Sequence, residues 1–307
     1  MSGAKRIHRV SLVVAQAADL GGNIREIVLR DEGDWDLPPF TAGAHIDVHI
    51  PVIGVRQYSL AGDPSRSDEW RIAVLREVDG RGGSRAMHAL EPGQEVLCSL
   101  PRNHFPFPTD RPVTMVAGGI GITPFLSAIP GMRQQGQPFE LHYCARTPDH
   151  APLAARLPEA NLHVSSAGHR LDMRVLIDRL DRKAHLFVCG PARMIDEALH
   201  LGDGLGDRLH VERFGTDTGS DPAYTVRLAR QNREIPVAAG ETMLQALRNA
   251  DVDIPASCEG GICLECKTRW LAGTPVHREL AMPKSDRDQW ITPCVSSCAG
   301  DCIVLDL

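Results

Sequence analysis

The sequence contains no long basic run, and its formal net charge is −6 over 307 residues. Nucleic-acid binding needs a basic face to meet phosphates, so that class is disfavoured. No stretch of about 18 apolar residues occurs, so no membrane-spanning helix is expected. The segment from Met1 to Val13 is basic and then alternating, without the apolar centre of a secretory signal. Internal repeats and low-complexity tracts are absent, and no catalytic triad is evident. Only one C-x2-C pair exists, Cys263–Cys266. Zinc sites usually join such a pair to a second one or to histidines, so zinc is the weaker reading of these thiols.

What the chain does have is nine cysteines, four of them in the order C-x4-C-x2-C and then a distant fourth: Cys258, Cys263, Cys266 and Cys294. That is the ligand spacing of a plant-type [2Fe–2S] cluster, in which each iron takes two thiolates. Gly260 and Gly261 let backbone N–H groups approach the sulfurs. Cys298 and Cys302 lie close to Cys294 and leave their own role open. Cys98, Cys144 and Cys189 sit in apolar strand-like runs, where a free thiol packs as a small hydrophobe. Disulfides are therefore not expected, and a reducing cytoplasm fits best.

At 307 residues, with 43% hydrophobic and 23% charged residues, the chain should form two or three domains with cores of their own. Residues 1–107 read as strands. His45–Ile50 alternates strictly, Trp70–Val78 and Gln94–Leu100 are strand-like, and only Ser84–Leu90 looks helical. A small antiparallel barrel follows. From 108 to 218 the rhythm is that of a parallel α/β sheet. Strands are expected at Val113–Ala117, Leu141–Ala145, Leu162–Ser165 and His185–Cys189, with an apolar helical segment over Phe125–Met132. Gly215–Pro222 is polar and turn-rich and reads as a linker. Residues 219–307 bring a hairpin, Tyr224–Leu228 and Arg233–Val237, a helix over Glu241–Asn249, and the cysteine loop.

Three further motifs suggest ligand chemistry. Arg56-Gln57-Tyr58-Ser59-Leu60 ends the first strands and is weak alone. Gly80-Arg81-Gly82-Gly83-Ser84 precedes the short helix, where glycine frees N–H groups to face an anion and the helix start adds positive potential; Ser84 would equally serve as a plain N-cap. Gly118-Gly119-Ile120-Gly121-Ile122-Thr123-Pro124 follows the first parallel strand, where α/β sheets bind ligands. Cys189-Gly190-Pro191 ends a later strand of the same sheet. After Leu141–Ala145, Asp149 suits a ribose hydroxyl and Arg146 a 2′-phosphate, so the residues leave NADH against NADPH open.

Together and in this order, the motifs R-x-Y-S-L, G-R-G-G-S, G-G-I-G-I-T-P, C-G-P and C-x4-C-x2-C…C resemble the phthalate dioxygenase reductase family, which includes vanillate demethylase reductases. The resemblance covers essentially the whole chain. It implies an FMN-binding barrel, an NADH-binding α/β domain and a C-terminal ferredoxin-like β-grasp domain. It also implies that Arg56, Tyr58, Ser59 and Leu60 contact the flavin and that Gly82, Gly83 and Ser84 hold its phosphate. Gly119, Gly121, Thr123 and Pro124 would form the pyridine-nucleotide loop, with Cys189, Gly190 and Pro191 beside the nicotinamide and Glu212 and Phe214 near the flavin. Cys258, Cys263, Cys266 and Cys294 would ligate the cluster. One departure stands out: where the family often has Gly-Ser or Gly-Thr between the second and third ligands, this chain has Leu264-Glu265.

The function so implied is the reductase component of a Rieske-type oxygenase system, with a monomeric chain passing electrons from NADH through FMN and the cluster to the oxygenase. A flavin must stand between a two-electron donor and a one-electron acceptor. The alternatives are a self-contained flavin reductase of a small acceptor, disfavoured by the lack of a further substrate domain, and a non-catalytic electron carrier, disfavoured by the nucleotide and flavin motifs.

Overall fold

The computed structural model describes residues 9–78, 82–214 and 221–307. They fall into two units, divided between Glu212 and Arg213, and each is described by itself. Gly80 and Arg81 of the glycine motif, and Gly215–Ser220 of the expected linker, lie outside the described residues.

The first unit opens with seven strands and a short helix: β1 (Arg9–Gly21), β2 (Ile24–Arg30), β3 (Ala44–Ile50), β4 (Gly54–Ser59), β5 (Trp70–Leu75), α1 (Gly83–His88), β6 (Glu95–Ser99) and β7 (Arg102–Asn103). The strands pair antiparallel in the order β4-β3-β6-β1-β2-β5, with β7 on β3. Just beyond β4, the Ala61 N–H donates to the Arg71 carbonyl in β5 at 2.7 Å, so the two outer strands meet and the sheet curls into a barrel. The core inside holds Leu12, Ile27, Leu29, Ile46, Val48, Leu60, Trp70, Ile72 and Cys98. The alternation of β3 is realised: Ile46, Val48 and Ile50 are buried, while Asp47 and His49 are half-buried.

His45 departs from that alternation, because it too is buried. Burial, with the nearby positive charges of Arg102 and His104, lowers its pKa to about 4. The fold therefore holds it neutral. An unfolded histidine takes up its proton near pH 6.5, the folded one only near 4, so the contribution is full above about 6.5 and is lost as pH falls through that window. For His45 it amounts to at most about 3 kcal/mol. The thermal midpoint should fall between about pH 7 and pH 4.5, and fall less in His45→Gln. An equal fall in that variant would remove His45 from the account.

The same unit continues with β8 (Val113–Gly118), α2 (Thr123–Gln135), β9 (Phe139–Ala145), β10 (Asn161–Val164), α3 (Met173–Asp178), β11 (His185–Cys189), α4 (Ala192–Leu201) and β12 (Leu209–Glu212). All five strands are parallel, in the order β10-β9-β8-β11-β12. The expected segment Phe125–Met132 is the middle of the longer α2. Pro124 sits in its first turn, where a missing N–H costs nothing, and Gly136 closes it at φ 62°. The strand expected over Leu162–Ser165 is shifted by one residue, because Ser165 already begins a 3-10 turn. Barrel and sheet are tied together. The Gly43 N–H donates to Ser127 Oγ at 3.0 Å, and Arg156 donates to both carboxylate oxygens of buried Glu26.

The second unit contains β13 (Tyr224–Leu228), β14 (Arg233–Val237), α5 (Met243–Asn249), β15 (Thr268–Ala272), β16 (Pro275–Val276), β17 (Trp290–Ile291), β18 (Ser297–Cys298) and β19 (Cys302–Leu305). Its mixed sheet runs β14-β13-β19-β15-β17, with β13 parallel to β19, and α5 packs on β14 in the ferredoxin-like manner. The helix expected from Glu241 begins at Met243, because the Thr242 hydroxyl caps it by accepting the Gln245 N–H. The linker reading is corrected at Asp221. Its carboxylate pairs with Arg278 and its carbonyl accepts the Gly240 N–H, so this residue is fastened to the second unit. Among the described residues no helix is long and apolar enough to cross a membrane.

Candidate functional site

In the barrel, β4 carries Arg56, Tyr58 and Ser59, and the glycine loop leads into α1. The Arg56 stem lies over Gly83: a Cβ on that glycine would stand 2.8 Å from Arg56 Cγ and Nε. Two motifs 27 residues apart in sequence thus meet, and a guanidinium stands beside the helix start. Gly82 takes φ 86° and is the N-cap residue of α1. Ser84 is therefore not the cap. Its Oγ instead accepts the Glu77 N–H at 3.0 Å and keeps its own proton to give. Ser59 Oγ is buried with no hydrogen-bond partner among the described residues, an unmet group that a flavin would satisfy. Burial pushes the Tyr58 hydroxyl well above its usual range, so it stays a neutral donor. Leu60 lies fully in the barrel core, and its N–H donates to the Ala44 carbonyl.

In the parallel sheet, the chain leaves β8 toward β9 on one side and returns to β11 on the other, so the ends of β8 and β11 form the topological switch point. There the two sequence motifs are fused backbone to backbone. A Cβ on Gly121 would overlap the Cys189 carbonyl, one on Gly118 would meet Pro191 Cδ at 2.5 Å, and one on Gly190 would meet Gly118 Cα at 3.0 Å. Gly119, at φ 56°, faces open space. Thr123 Oγ1 donates to the Ile120 carbonyl and holds the loop against α2, where Pro124 follows. Cys189 is fully buried and paired in register with Glu212. Burial, reinforced by the Glu212 charge, pushes its thiol far up; it is a packed neutral group and not a nucleophile.

In the second unit, the loop from Cys258 to Cys266 gathers its sulfurs around backbone donors. Cys258 Sγ accepts the N–H groups of Gly260 at 3.4 Å and Cys263 at 3.3 Å, and Cys263 Sγ accepts that of Cys258 at 3.4 Å. Cys266 Sγ and Cys294 Sγ are 3.3 Å apart. A hydrogen bond from the Cys263 thiol draws Cys258 down to about 5, and one from Cys294 draws Cys266 down. Both shifts favour the thiolate, the form that binds iron. Four free thiols with N–H groups turned toward sulfur fit a [2Fe–2S] cluster in the chemistry of their donors. Cys298 instead donates to the Cys302 carbonyl, and Cys302 is exposed. Gly261 is obligatory at φ 72°, since a Cβ would press on Val295 and Glu279. Leu264 takes φ 58°, a left-handed conformation that costs a leucine about 1 kcal/mol and suits the glycine of the related motif. Phe214, in this unit, is 42% exposed.

Residues 226–299 match the 2Fe-2S iron-sulfur cluster binding domain family. The vanillate O-demethylase oxidoreductase of Acinetobacter baylyi is 34% identical, with 97% of this chain and 99% of that protein aligned. A solved phthalate dioxygenase reductase, described as a modular structure for electron transfer from pyridine nucleotides to [2Fe-2S], superposes with a TM-score of 0.83. It is 32% identical and is matched over 98% of its length. The chain belongs to the phthalate dioxygenase reductase family. This reductase is an oxidoreductase with the cofactor set of that family, FMN, NADH and a [2Fe–2S] cluster. It also matches the oxidoreductase NdmD of Pseudomonas putida at 35% identity, spanning only 55% of that protein's length.

The ties that sequence reasoning missed are Glu26–Arg156, Gly43–Ser127 and the contacts of buried Glu279. A glutamate that follows an arginine, as Glu26 and Glu279 do, gives no signal of burial, and partners 84 residues apart (Gly43 and Ser127) or 130 apart (Glu26 and Arg156) share no period. Replacing Arg56 by Ala should weaken FMN binding by about tenfold to a hundredfold, the loss of one charge-assisted contact of about 1.5–3 kcal/mol. Titration of flavin fluorescence on the apoprotein checks this, and unchanged affinity would remove Arg56 from the phosphate site.

Proposed function

We propose that this reductase takes electrons from NADH and delivers them, through FMN and the cluster, to a Rieske-type terminal oxygenase. The observation that carries the reading is the fusion of the Gly118–Pro124 and Cys189–Pro191 loops at the switch point of a sheet joined to a barrel whose Arg56 overlies Gly83. When bound, FMN supplies two-electron acceptance with one-electron release, and the cluster supplies one-electron exit.

The residues bind and orient. Arg56, Gly82, Gly83 and Ser84 hold the phosphate, while Tyr58 and Ser59 line the flavin side of the barrel and Leu60, sealed in the core, backs them. Gly119, Gly121, Thr123 and Pro124 admit the dinucleotide to the strand ends, and Cys189, Gly190 and Pro191 form the wall beside the nicotinamide, next to Glu212 on the neighbouring strand. Hydride transfer needs no general base, which suits a buried neutral Cys189. Cys258, Cys263, Cys266 and Cys294 ligate the cluster. The working modules are 1–107, 108–218 and 219–307, in a monomeric cytoplasmic protein.

The test separates the two halves of the path. A chain ended after Thr216 should keep flavin and pass electrons from NADH to ferricyanide, yet fail to reduce cytochrome c efficiently or to drive a terminal oxygenase. If the shortened chain drives the oxygenase at the full rate, the cluster is not the exit and the proposed order is wrong. The oxygenase class is tested by coupled turnover with candidate Rieske-type oxygenases.

A further inference from the structure

We propose that Glu279 is the positioning residue of the cluster, holding the segment that carries Cys294 against the loop that carries the other three cysteines. The inference rests on the ligand assignment above and adds a residue to it.

Glu279 has a side chain with 0% exposure, deep in the second unit. One carboxylate oxygen accepts from Ser296 Oγ at 2.8 Å and from Thr292 Oγ1 at 3.4 Å. These two hydroxyl residues bracket Cys294, and the turn between them is closed by the Val295 and Ser296 N–H groups on the Thr292 carbonyl. The same residue meets the other side of the thiol set. A Cβ on Gly261 would stand 2.9 Å from Glu279 Cα, and the Gly261 carbonyl accepts the N–H of Leu280 at 2.9 Å. Gly261 is two residues before Cys263. One side chain and its backbone therefore touch both parts of the chain that must converge on the irons.

The charge is compensated locally. Arg287 Nε lies 3.0 Å from the second carboxylate oxygen, Arg287 Nη2 donates to the Glu279 carbonyl, and His277 Nδ1 stands 2.8 Å from that same oxygen. A buried ion pair adds little stability over a well-packed apolar residue, because desolvation offsets the attraction. What a carboxylate does that a leucine cannot is accept from two hydroxyls on one oxygen while the other oxygen faces the Arg287 guanidinium and the His277 ring. Fixing Thr292 and Ser296 fixes the Cys294 backbone, and so the place of its sulfur beside Cys266. Partners of this kind orient metal ligands and commonly change metal retention by about 10–100-fold when removed.

The experiment compares the full-length holoprotein with Glu279→Gln, Glu279→Asp and the double variant Thr292→Val/Ser296→Ala. The readouts are iron and sulfide content, the EPR spectrum of the reduced cluster, its midpoint potential, and the rate of iron loss to a chelator. Glu279→Gln should lose iron about tenfold faster or more. Its potential should rise, because a negative charge is gone and Arg287 is left in excess. Glu279→Asp keeps the charge and should return the potential toward wild type. The double variant leaves the ion pair intact and should speed iron loss without moving the potential as far, which keeps the test alive should Glu279→Gln fold poorly. Ferricyanide reduction at the flavin should be unchanged throughout. If wild-type protein holds the cluster while Glu279→Gln and the double variant match it in EPR, potential and iron loss, the positioning role is overturned. If wild-type protein reconstitutes no iron and sulfide, the ligand assignment itself has failed.

Discussion

Cys263→Ser should lose the cluster and keep the flavin. NADH-dependent cytochrome c reduction is expected to fall by more than about a hundredfold, beyond what removing an outer partner costs. Ferricyanide reduction should stay near wild type. The reason is local. Cys263 lies on the Cys258–Cys266 loop, its N–H donates to Cys258 Sγ and its sulfur accepts the Cys258 N–H. Losing the thiolate removes one ligand and also disturbs the donors around a second. The check is iron and sulfide analysis with the EPR spectrum of dithionite-reduced protein beside both assays. A variant that keeps a full cluster and full cytochrome c reduction would exclude Cys263 as a ligand. Stoichiometric zinc without sulfide in wild-type protein would exclude the cluster altogether.

The other large effect is expected at Gly121→Ala. Its new Cβ would overlap the Cys189 carbonyl and come within 2.9 Å of the Gly190 N, and all of these are backbone atoms. A flexible side chain could turn away, but two strand ends locked in a parallel sheet cannot. The fused loops must part. A stability loss of about 1–3 kcal/mol or more is expected from such overpacking. The apparent KM for NADH should rise and kcat should fall at once, because both strand ends bound the same crevice. FMN content should stay near wild type, since Arg56, Ser59 and Gly83 lie in the barrel. Gly119→Ala is the companion measurement: it faces open space and tests the positive φ alone. If Gly121→Ala binds and oxidises NADH as wild type does, the crevice at the switch point is not the nucleotide site.

The sequence by itself determined whatever local pattern governs. Strict alternation specified β3, turn residues bounded the hairpin Tyr224–Leu228 and Arg233–Val237, and the change from period two to alternating strands and helices separated barrel from parallel sheet. Cysteine spacing drew attention to four thiols, three of them close together and the fourth, Cys294, far along the chain. Ends of elements were less legible. Ser165, Thr242 and Pro124 each end or begin an element through a hydrogen bond or a missing one, which apolar periodicity does not register.

Only the tertiary structure decided which distant groups meet. That Cys294 stands beside Cys266 while Cys298 turns to the Cys302 carbonyl is a matter of packing, and three nearby cysteines look alike in a sequence. The Arg56 stem on Gly83, the Gly121 backbone against Cys189, and Glu279 between Ser296 and Gly261 are likewise products of packing. Each is a contact at van der Waals or hydrogen-bond distance between segments with no common period. The physical reason is that side-chain burial and backbone approach are properties of the assembled chain, whereas propensity and spacing are properties of neighbours along it.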